Sequence, residues 1–152
     1  MYDYKNKVFN IYDGFEDNQK IQLLEGDDKF FCNNCNQMRE AKKCCKIIQP
    51  PNKLLIYIDY GKNEKYQPSR ITFDEIIDLT KYINFNFGTN IRYLIICVCT
   101  HLGTFGNNDH YIAFCRHKFA GKWYKFIDSS CNECSPEEIK KDNPYLLFYE
   151  KI

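Results

Sequence analysis

The chain has 152 residues, a formal net charge of +1 and nine cysteines. This length suits one domain with a real hydrophobic core. The near-zero net charge, with basic residues spread along the chain, gives no electrostatic footprint for a nucleic-acid or membrane partner. The longest apolar run, Tyr93 to Cys99, is far too short to span a bilayer.

The cysteines and the first residues of the chain together indicate the cellular compartment of the protein. The first residues are polar and charged, which is not the pattern of a secretory signal. Without such a signal, nine cysteines indicate reduced thiols or metal ligands rather than a disulfide framework. We therefore expect an intracellular protein, in the cytoplasm or the nucleus.

The first half of the chain predicts short elements. Ile11 to Asn18 is a weak helix candidate, because Gly14 disfavours a helix interior. Ile21 to Leu24 predicts a short strand, and a Phe-Phe pair then leads into Cys32-x-x-Cys35, a spacing typical of metal knuckles. Leu54 to Tyr60 alternates strongly enough for a central strand.

The second half predicts longer strands and one short helix. Ile91 to Thr100 indicates a long strand, which a polar loop connects to Asp109. Ser135 and Pro136 are typical of a helix cap and first turn. Strands dominate and helices are short, so we predict an α+β fold with a mostly antiparallel sheet. The remaining segments are a strand fragment at Ile71 to Phe73, an ambiguous stretch at Leu79 to Ile83 and a last strand at Tyr145 to Tyr149.

Two alternating runs in the last third of the chain predict a β-hairpin with one face in a core. They are Asp109 to Arg116 and Gly121 to Ser129. His110 opens the first run and Asp128 closes the second. Antiparallel pairing puts the outer ends of a hairpin side by side, so we expect these two side chains to lie close together. A histidine and a carboxylate at the rim of a sheet are two of the three groups of a catalytic triad.

These residues also carry a family resemblance. His110-Tyr111, Trp123-x-x-Phe126 and Asp128-Ser129 together resemble the His box of the ubiquitin-specific proteases (USPs), which are papain-like cysteine deubiquitinases. The resemblance covers nearly the whole chain from about Phe9 onward. The other segments that resemble USP fingers and strands, in the family's order, are Cys32 to Cys35, Leu54 to Ile58, Tyr93 to Gly103 and Pro144 to Tyr149.

The resemblance carries expectations for fold, domain organisation and function. It implies the palm and part of the fingers of the USP fold, without the helical thumb that the N-terminal half of the family domain supplies. We accordingly expect residues 1–152 to form a single, partial USP-like catalytic domain. The implied family activity is the removal of ubiquitin from proteins, with no cofactor required. The implied partner is ubiquitin or a ubiquitinated protein.

The resemblance assigns His110 the role of general base, but the next member of the triad departs from the family. USPs place Asp or Asn directly after the phenylalanine of Trp-x-x-Phe to orient the imidazole. Ile127 occupies that place here and accepts no hydrogen bond. Asp128, one residue later, matches a second acid that the family uses near the oxyanion. Because strand side chains alternate, Asp128 faces the histidine only if a bulge turns it inward.

Candidate substrate contacts lie just before and around the histidine. His101 to Asn108 resembles a loop that in USPs lies over the ubiquitin tail, which makes His101 and Gly103 candidate contacts. Asp109 and Tyr111 flank His110 and are added to them. The family usually has glycine where this chain has Asp109, and a carboxylate there crowds the channel for the tail.

The nucleophile is the largest departure from the family. No segment of the sequence resembles the "N-x-G-N-T-C" Cys box that carries it. Cys97, Cys99 and Cys115 fall inside strand patterns, where cysteines behave as small hydrophobes. We therefore predict that the chain alone hydrolyses nothing, and that a separate chain could carry the Cys box.

Zinc is a candidate ligand at Cys32 and Cys35. The resemblance matches them to one of the two Cys-x-x-Cys pairs with which family fingers often bind zinc. A further pair, Cys131 and Cys134, follows the hairpin at the other end of the palm. A zinc site built from both pairs requires them to be close in space.

Three functions stay open at this point. The chain is the C-terminal part of a USP enzyme, a non-catalytic ubiquitin-binding pseudo-deubiquitinase, or a zinc-binding interaction module. Ile127 favours the second over the first, because an active enzyme should keep a residue that orients the imidazole.

Overall fold

The computed structural model describes residues 8–60, 70–84, 88, 90–104 and 107–152, and within 102–104 and 107–109 it describes the backbone. Its first elements are β1 (Val8–Asn10), α1 (Ile11–Gln19), β2 (Gln22–Leu24), β3 (Phe30–Cys32), β4 (Gln37–Arg39), β5 (Ala41–Lys43) and β6 (Lys53–Tyr57). They are followed by β7 (Arg70–Thr72), β8 (Ile76–Asp78), β9 (Arg92–Thr104), β10 (Asn107–Arg116), β11 (Trp123–Ile127), β12 (Ser130–Cys134), α2 (Pro136–Ile139) and β13 (Pro144–Lys151).

Helix α1 begins where the sequence predicts it and extends one residue further. The Asn10 side chain accepts a hydrogen bond from the backbone N–H of Tyr12 (3.0 Å), and the Asp13 carboxylate accepts one from the backbone N–H of Asn10 (2.8 Å). This reciprocal capping satisfies donors that an uncapped helix start leaves open. Ile11 buries its side chain in the core. Capping and this anchor therefore offset the intrinsic cost of Gly14.

Seven of the described strands form the main sheet, in the order β12-β11-β10-β9-β13-β6, with β8 also paired to β9. All of these pairs are antiparallel. Strand β9 is the centre: β13 pairs along one edge, while β8 and then β10 pair along the other. The predicted α+β fold with a mostly antiparallel sheet is confirmed. Parallel pairing is seen for β1 with β7 and for the bridge between Ile47 and Ile83.

One face of the main sheet, called the core face here, is buried. An extra residue in β9, Ile96, shifts the register between β9 and β13, so Tyr93 and Ile95 face the same side as Val98. The hydroxyl of Tyr93 donates to the Pro51 carbonyl (2.7 Å), which satisfies the polar tip of a fully buried ring. Further side chains in this core are Ile11, Ile77, Ile112, Phe114, Ile139, Leu147 and Tyr149.

The opposite face, called the open face here, carries exposed apolar side chains. Paired residues share a face, so Tyr57, Leu146, Cys99, Ala113 and Phe126 form one continuous row across five strands. Tyr57 is 54% exposed and Phe126 is 39% exposed. Soluble monomers rarely leave contiguous apolar surface of this kind without a function.

Two sequence expectations about strand position are wrong. Leu54 to Tyr60 was expected to be a central strand, but β6 ends at Tyr57 and pairs only with β13 among the described residues. Alternation reports that one face is buried, and edge and central strands share that property. The expected polar loop from His101 to Asn108 is mostly strand, because β9 continues to Thr104 and β10 begins at Asn107. Residues 105 and 106 lie outside the described residues.

The sequence does not predict two strands of the main sheet, β8 and β12. Strand β8 places Ile77 in the core, and β12 pairs with β11 through a two-residue turn. Both are short, and β12 exposes most of its side chains, so neither carries a clear apolar alternation. The ambiguous Leu79 to Ile83 stretch forms a 3-10 turn at Thr80–Tyr82.

Replacing Thr100 with Val should not destabilise the fold. Thr100 is fully buried and its Oγ1 has no hydrogen-bond partner among the described residues, whereas Thr72 Oγ1 donates to the Phe9 carbonyl (3.2 Å) and accepts from Asn10 Nδ2 (3.2 Å). An unpartnered buried hydroxyl costs about 1–3 kcal/mol, so Thr100→Val should hold or raise the free energy of unfolding, and the control Thr72→Val should lower it by about 1 kcal/mol. Urea unfolding followed by Trp123 fluorescence measures both. A larger loss for Thr100→Val than for Thr72→Val would contradict this.

Candidate functional site

The candidate site lies at the end of β10, on an exposed histidine. His110 pairs with Leu102 of β9, and the register stays regular from there to Cys115. Strand alternation therefore puts His110 on the same side as Ile112 and Phe114, at the rim of the core face. Ile112 and Phe114 are buried, and His110 is exposed. The histidine is thus held by a rigid strand while its ring reaches solvent.

Ile127 lies on the face that His110 uses. The register of β10 with β11 pairs Ala113 with Phe126, and one step further along that register Ile112 stands opposite Ile127. His110 and Ile127 are then diagonal neighbours on one face. Ile127 is half-buried and packs against the core cluster. The residue diagonal to His110 on this face is therefore aliphatic and carries no side-chain acceptor that could orient an imidazole.

Asp128 lies just beyond the strand, in a turn. Ile127 pairs with Ser130, which leaves Asp128 and Ser129 as a two-residue connection between β11 and β12. Asp128 has a φ of 47°, in the left-handed region, and the Ser130 hydroxyl donates to the Ile127 carbonyl (2.8 Å). The register of these described strands contains no bulge within β11 that would turn Asp128 inward, and Asp128 reaches its position by the turn instead. That the Asp128 carboxylate lies close to the His110 imidazole stays a prediction.

The candidate substrate contacts fall on two paired strands rather than on a loop. His101 and Tyr111 are direct partners across β9 and β10, with ring centroids 4.9 Å apart. Tyr145 adds a third ring, 5.6 Å from that of Tyr111. Gly103 lies in β9 and Asp109 lies in β10, and the structure describes the backbone of both. The structure brings His101 and Tyr111 together on the open face, where sequence reasoning had not foreseen that Tyr145 joins them.

The thiols of the main sheet lie away from His110. Cys97, Cys99 and Cys115 have the opposite parity in the register and so belong to the open face. Cys134 pairs with Trp123, which pairs with Arg116, six residues along β10 from His110. At the usual rise per strand residue that separation is about 20 Å. No cysteine in the described strands of the main sheet can therefore attack from beside this imidazole.

The Cys32–Cys35 pair has the local geometry of a metal knuckle. Cys32 ends β3 and Cys35 lies in the turn to β4. Hydrogen bonds from the backbone N–H of Cys35, from its thiol and from the backbone of Asn34 lower the pKa of Cys32, because they favour its thiolate. The residues that the structure describes contain no group of three or more His, Cys, Asp or Glu side chains that could hold a metal ion. The pair is therefore at most half of a zinc site.

The second Cys-x-x-Cys pair does not complete that site. Cys131 and Cys134 lie within β12 and are paired with Phe126 and Trp123 respectively. Three residues apart on a strand, they point to opposite faces of the sheet. The knuckle spacing in the sequence was misleading at this position, because a knuckle requires a turn and this segment is extended.

The comparisons with known proteins agree with one another. A family model described as ubiquitin carboxyl-terminal hydrolase matches residues 18–149. The chain is 28% identical over 147 residues to ubiquitin carboxyl-terminal hydrolase 17-like protein B of Mus musculus, covering 95% of the chain and 31% of that protein. It is 31% identical over 140 residues to ubiquitin carboxyl-terminal hydrolase 16 of Arabidopsis thaliana, covering 87% of the chain and 13% of that protein.

Solved structures give the same answer for the fold. The structure resembles a chain of the SAGA DUB module of Ubp8, Sgf11, Sus1 and Sgf73 bound to monoubiquitin, with a TM-score of 0.77 and 30% identity over 97% of this chain and 35% of that one. A related module bound to ubiquitin aldehyde gives a TM-score of 0.73 at 28% identity, covering 97% of this chain and 36% of that one.

The family match extends over most of the chain, and the chain belongs to the ubiquitin carboxyl-terminal hydrolase family of the ubiquitin-specific protease type. It spans a third or less of the length of the curated relatives described above. Within the described residues, no helix is long and apolar enough to cross a membrane.

Substitutions at Asp128 should change the free energy of unfolding, because the backbone of this residue is left-handed. A β-branched residue in the left-handed region is strained, so Asp128→Val should lower the free energy of unfolding by about 1–2 kcal/mol, and Asp128→Gly should hold or raise it. The neighbouring Ser129→Val is the matched control, because Ser129 has no positive φ. Urea unfolding of the three variants measures the difference. Equal losses for the two valine variants would refute the assigned turn geometry.

Proposed function

We propose that the chain is the His-box portion of a USP-type deubiquitinase domain, and that alone it binds ubiquitin without hydrolysing any bond to it. The supporting observation is the surroundings of His110. The histidine matches the family's general base and lies at a sheet rim, but no thiol of the described main sheet shares its end of β10. In this proposal the nucleophile comes from a Cys box on other polypeptide.

His110 is assigned the role of a general base that acts on a thiol from other polypeptide. A thiol delivered to the rim would lose its proton to the imidazole, attack the carbonyl at the ubiquitin C-terminus, and leave the proton for the departing amine. The imidazole works best when an acceptor holds it in one orientation. Ile127 supplies none, and Asp128 approaches only from the turn. Any such activity would therefore be weak even with the thiol present.

Ile127 is also the observation that favours the second candidate, a non-catalytic ubiquitin-binding pseudo-deubiquitinase. Its half-buried side chain packs against the core cluster, so the aliphatic residue contributes to the packing. The two candidates differ in whether a Cys box accompanies this chain. The transcript sequence immediately upstream of Met1 separates them: a Cys box there favours the enzyme portion.

Ubiquitin binding is assigned to the ring cluster on the open face, at the same end of β10 as His110. His101, Tyr111 and Tyr145 are in ring contact, and Tyr111 is 51% exposed. Exposed aromatic anchors of this kind supply much of the binding energy at interfaces. Two of the similar solved structures are of a module bound to monoubiquitin or to ubiquitin aldehyde, which supports ubiquitin as the ligand.

Ubiquitin carrying a C-terminal thiol-trapping warhead should not react with this chain. The reason is that the described thiols of the main sheet lie on the other face from His110 or about 20 Å from it. Intact-mass spectrometry after incubation with a molar excess of the probe checks this. A complete USP treated in parallel, which should be labelled, is the control. An adduct that forms as fast as that of the complete USP would overturn the proposal, whichever of the nine cysteines carries it.

Free ubiquitin should bind weakly, through the ring cluster. Truncating a buried anchor costs on the order of 1 kcal/mol or more, so Tyr111→Ala should weaken binding at least about fivefold. Phe119→Ala is the matched control, because Phe119 is 91% exposed in the turn at the other end of the hairpin. Shifts in the NMR spectrum of labelled ubiquitin during titration measure both affinities. Equal affinities for the two variants, or no binding by the unmodified chain, would count against this contact surface.

A further inference from the structure

Three cysteines form a cluster on the open face where β9 and β10 are paired. Cys97 is the direct partner of Cys115 in the register, and Cys99 lies two residues further along β9 on the same face. A hydrogen bond joins the sulfurs of Cys115 and Cys97, whose Sγ atoms are 3.5 Å apart. All three side chains are half-buried and all three thiols are free. The sequence suggested inert core positions, and the structure instead gathers them at an accessible surface.

The register explains why the cluster is open to a reagent. Cys99 pairs with Ala113, whose methyl group is the smallest side chain in that row. The next residues along the row, Phe126 and Tyr57, are themselves exposed. A small molecule can therefore approach Cys99 from the open face, which the described chain leaves uncovered at these positions.

The thiols of Cys97 and Cys99 differ in their pKa. A hydrogen bond from the thiol of Cys97 lowers the pKa of Cys99 to about 7, because it favours the Cys99 thiolate. The same hydrogen bond, together with burial, raises the pKa of Cys97. Near neutral pH, Cys99 is thus the thiolate of the cluster and Cys97 its proton donor. The thiolate is the form that attacks disulfides.

We propose that Cys97, Cys99 and Cys115 form a thiol–disulfide exchange site that takes low-molecular-weight disulfides and closes a cross-strand disulfide between Cys97 and Cys115. Nothing in the family's hydrolytic chemistry uses these thiols, which lie on the other face of the sheet from His110.

The exchange takes three balanced steps with a disulfide written RSSR. The Cys99 thiolate attacks one sulfur of RSSR, forms a mixed disulfide and releases RS⁻. Cys97 passes its proton to that RS⁻, giving RSH, then attacks the Cys99 sulfur and expels the second RS⁻. Cys115 passes its proton to the second RS⁻, attacks the Cys97 sulfur and returns Cys99 to its thiolate. The sum is two thiols oxidised to one disulfide and one RSSR reduced to two RSH.

Strand geometry selects the final pair. Residues two apart on a strand have Cα atoms about 6.6–6.8 Å apart, which is the upper limit for a disulfide, whereas directly opposite residues are about 4.5–5.5 Å apart. The Cys97–Cys99 bond is therefore strained and the Cys97–Cys115 bond is relaxed. The sulfurs of the favoured pair are already in hydrogen-bond contact.

The test uses the whole chain and oxidised glutathione at neutral pH. After free thiols are blocked, chymotrypsin cleaves between Cys99 and Cys115, for example after Tyr111, and mass spectrometry without reductant detects a peptide pair joined through Cys97 and Cys115. We expect that link to form and to disappear on reduction. A chain in which the exposed cysteines take up glutathione, while Cys97 and Cys115 stay unlinked, would overturn the proposal.

Variants separate the roles within the cluster. Cys99→Ala should slow formation of the Cys97–Cys115 link at least about fivefold, because the low-pKa thiolate is lost, while the link itself still forms. Cys131→Ser, on the open face of neighbouring β12, is the matched control and should leave the rate unchanged. Circular dichroism verifies that each variant is folded, and Cys99→Ser is the second variant if the alanine is not. An unchanged rate in the folded Cys99 variant would refute its role as the first nucleophile.

The pH dependence gives an independent readout. Labelling of Cys99 by iodoacetamide should rise with pH and be half-maximal near pH 7, since its lowered pKa leaves the thiolate present above that value. The half-buried Cys134 in the same chain is the internal control: burial raises the pKa of its thiol, so its labelling should rise at a higher pH. Coincident labelling-against-pH profiles for the two cysteines would contradict the lowered pKa of Cys99.

Discussion

The pairing register of β9 is the constraint on which the rest of this structure depends. This strand is bonded to β13 on one edge and to β8 and β10 on the other, so its alternation is imposed on the whole sheet. A single extra residue, Ile96, keeps Tyr93 and Ile95 on the same side as Val98. Without that bulge, one end of the strand would turn its apolar side chains to solvent. The buried core and the open face are thus two outcomes of one register.

That register also decides what the candidate site can do. His110 lies on the core face and the three clustered thiols lie on the open face, although all four residues belong to two adjacent strands. A base and a set of nucleophiles that are close in the chain are therefore separated by the thickness of the sheet. The hydrolytic chemistry of the family needs a thiol on the side of the histidine. The thiols on the open face are free for exchange chemistry with one another.

The parts of this fold that were predictable from the sequence are those with strong alternation. The β10–β11 hairpin, the long strand through Thr100 and the cap at Ser135 are fixed by local patterns, and the structure has all three, although β9 continues to Thr104. The edge position of β6 was not predictable, because the alternation of Leu54 and Ile56 is the same whether a second neighbour is present or not. Strand β12 was missed since exposed side chains dominate it.

The site was predictable to a similar degree. The family resemblance singled out His110, and alternation alone indicated that Ile127 and Asp128 could not share a face. The tight turn that carries Asp128 past the strand depends on a left-handed backbone at a non-glycine residue, which the sequence signals only weakly. The third ring, Tyr145, comes from the last strand of the sheet, and no local pattern links it to residues more than thirty positions earlier.

The edge position of β6 has a consequence for how the molecule forms. Its only described partner in the main sheet is β13, and the pair Tyr57 and Leu146 is separated by 89 residues, the difference of their numbers. Contacts this distant in sequence close slowly, because the chain entropy is lost before the contact is gained. During synthesis, β6 must therefore wait for nearly the whole remaining chain to emerge. Until then its exposed hydrogen-bonding edge and its Leu-Leu-Ile run are open to chaperones or to aggregation.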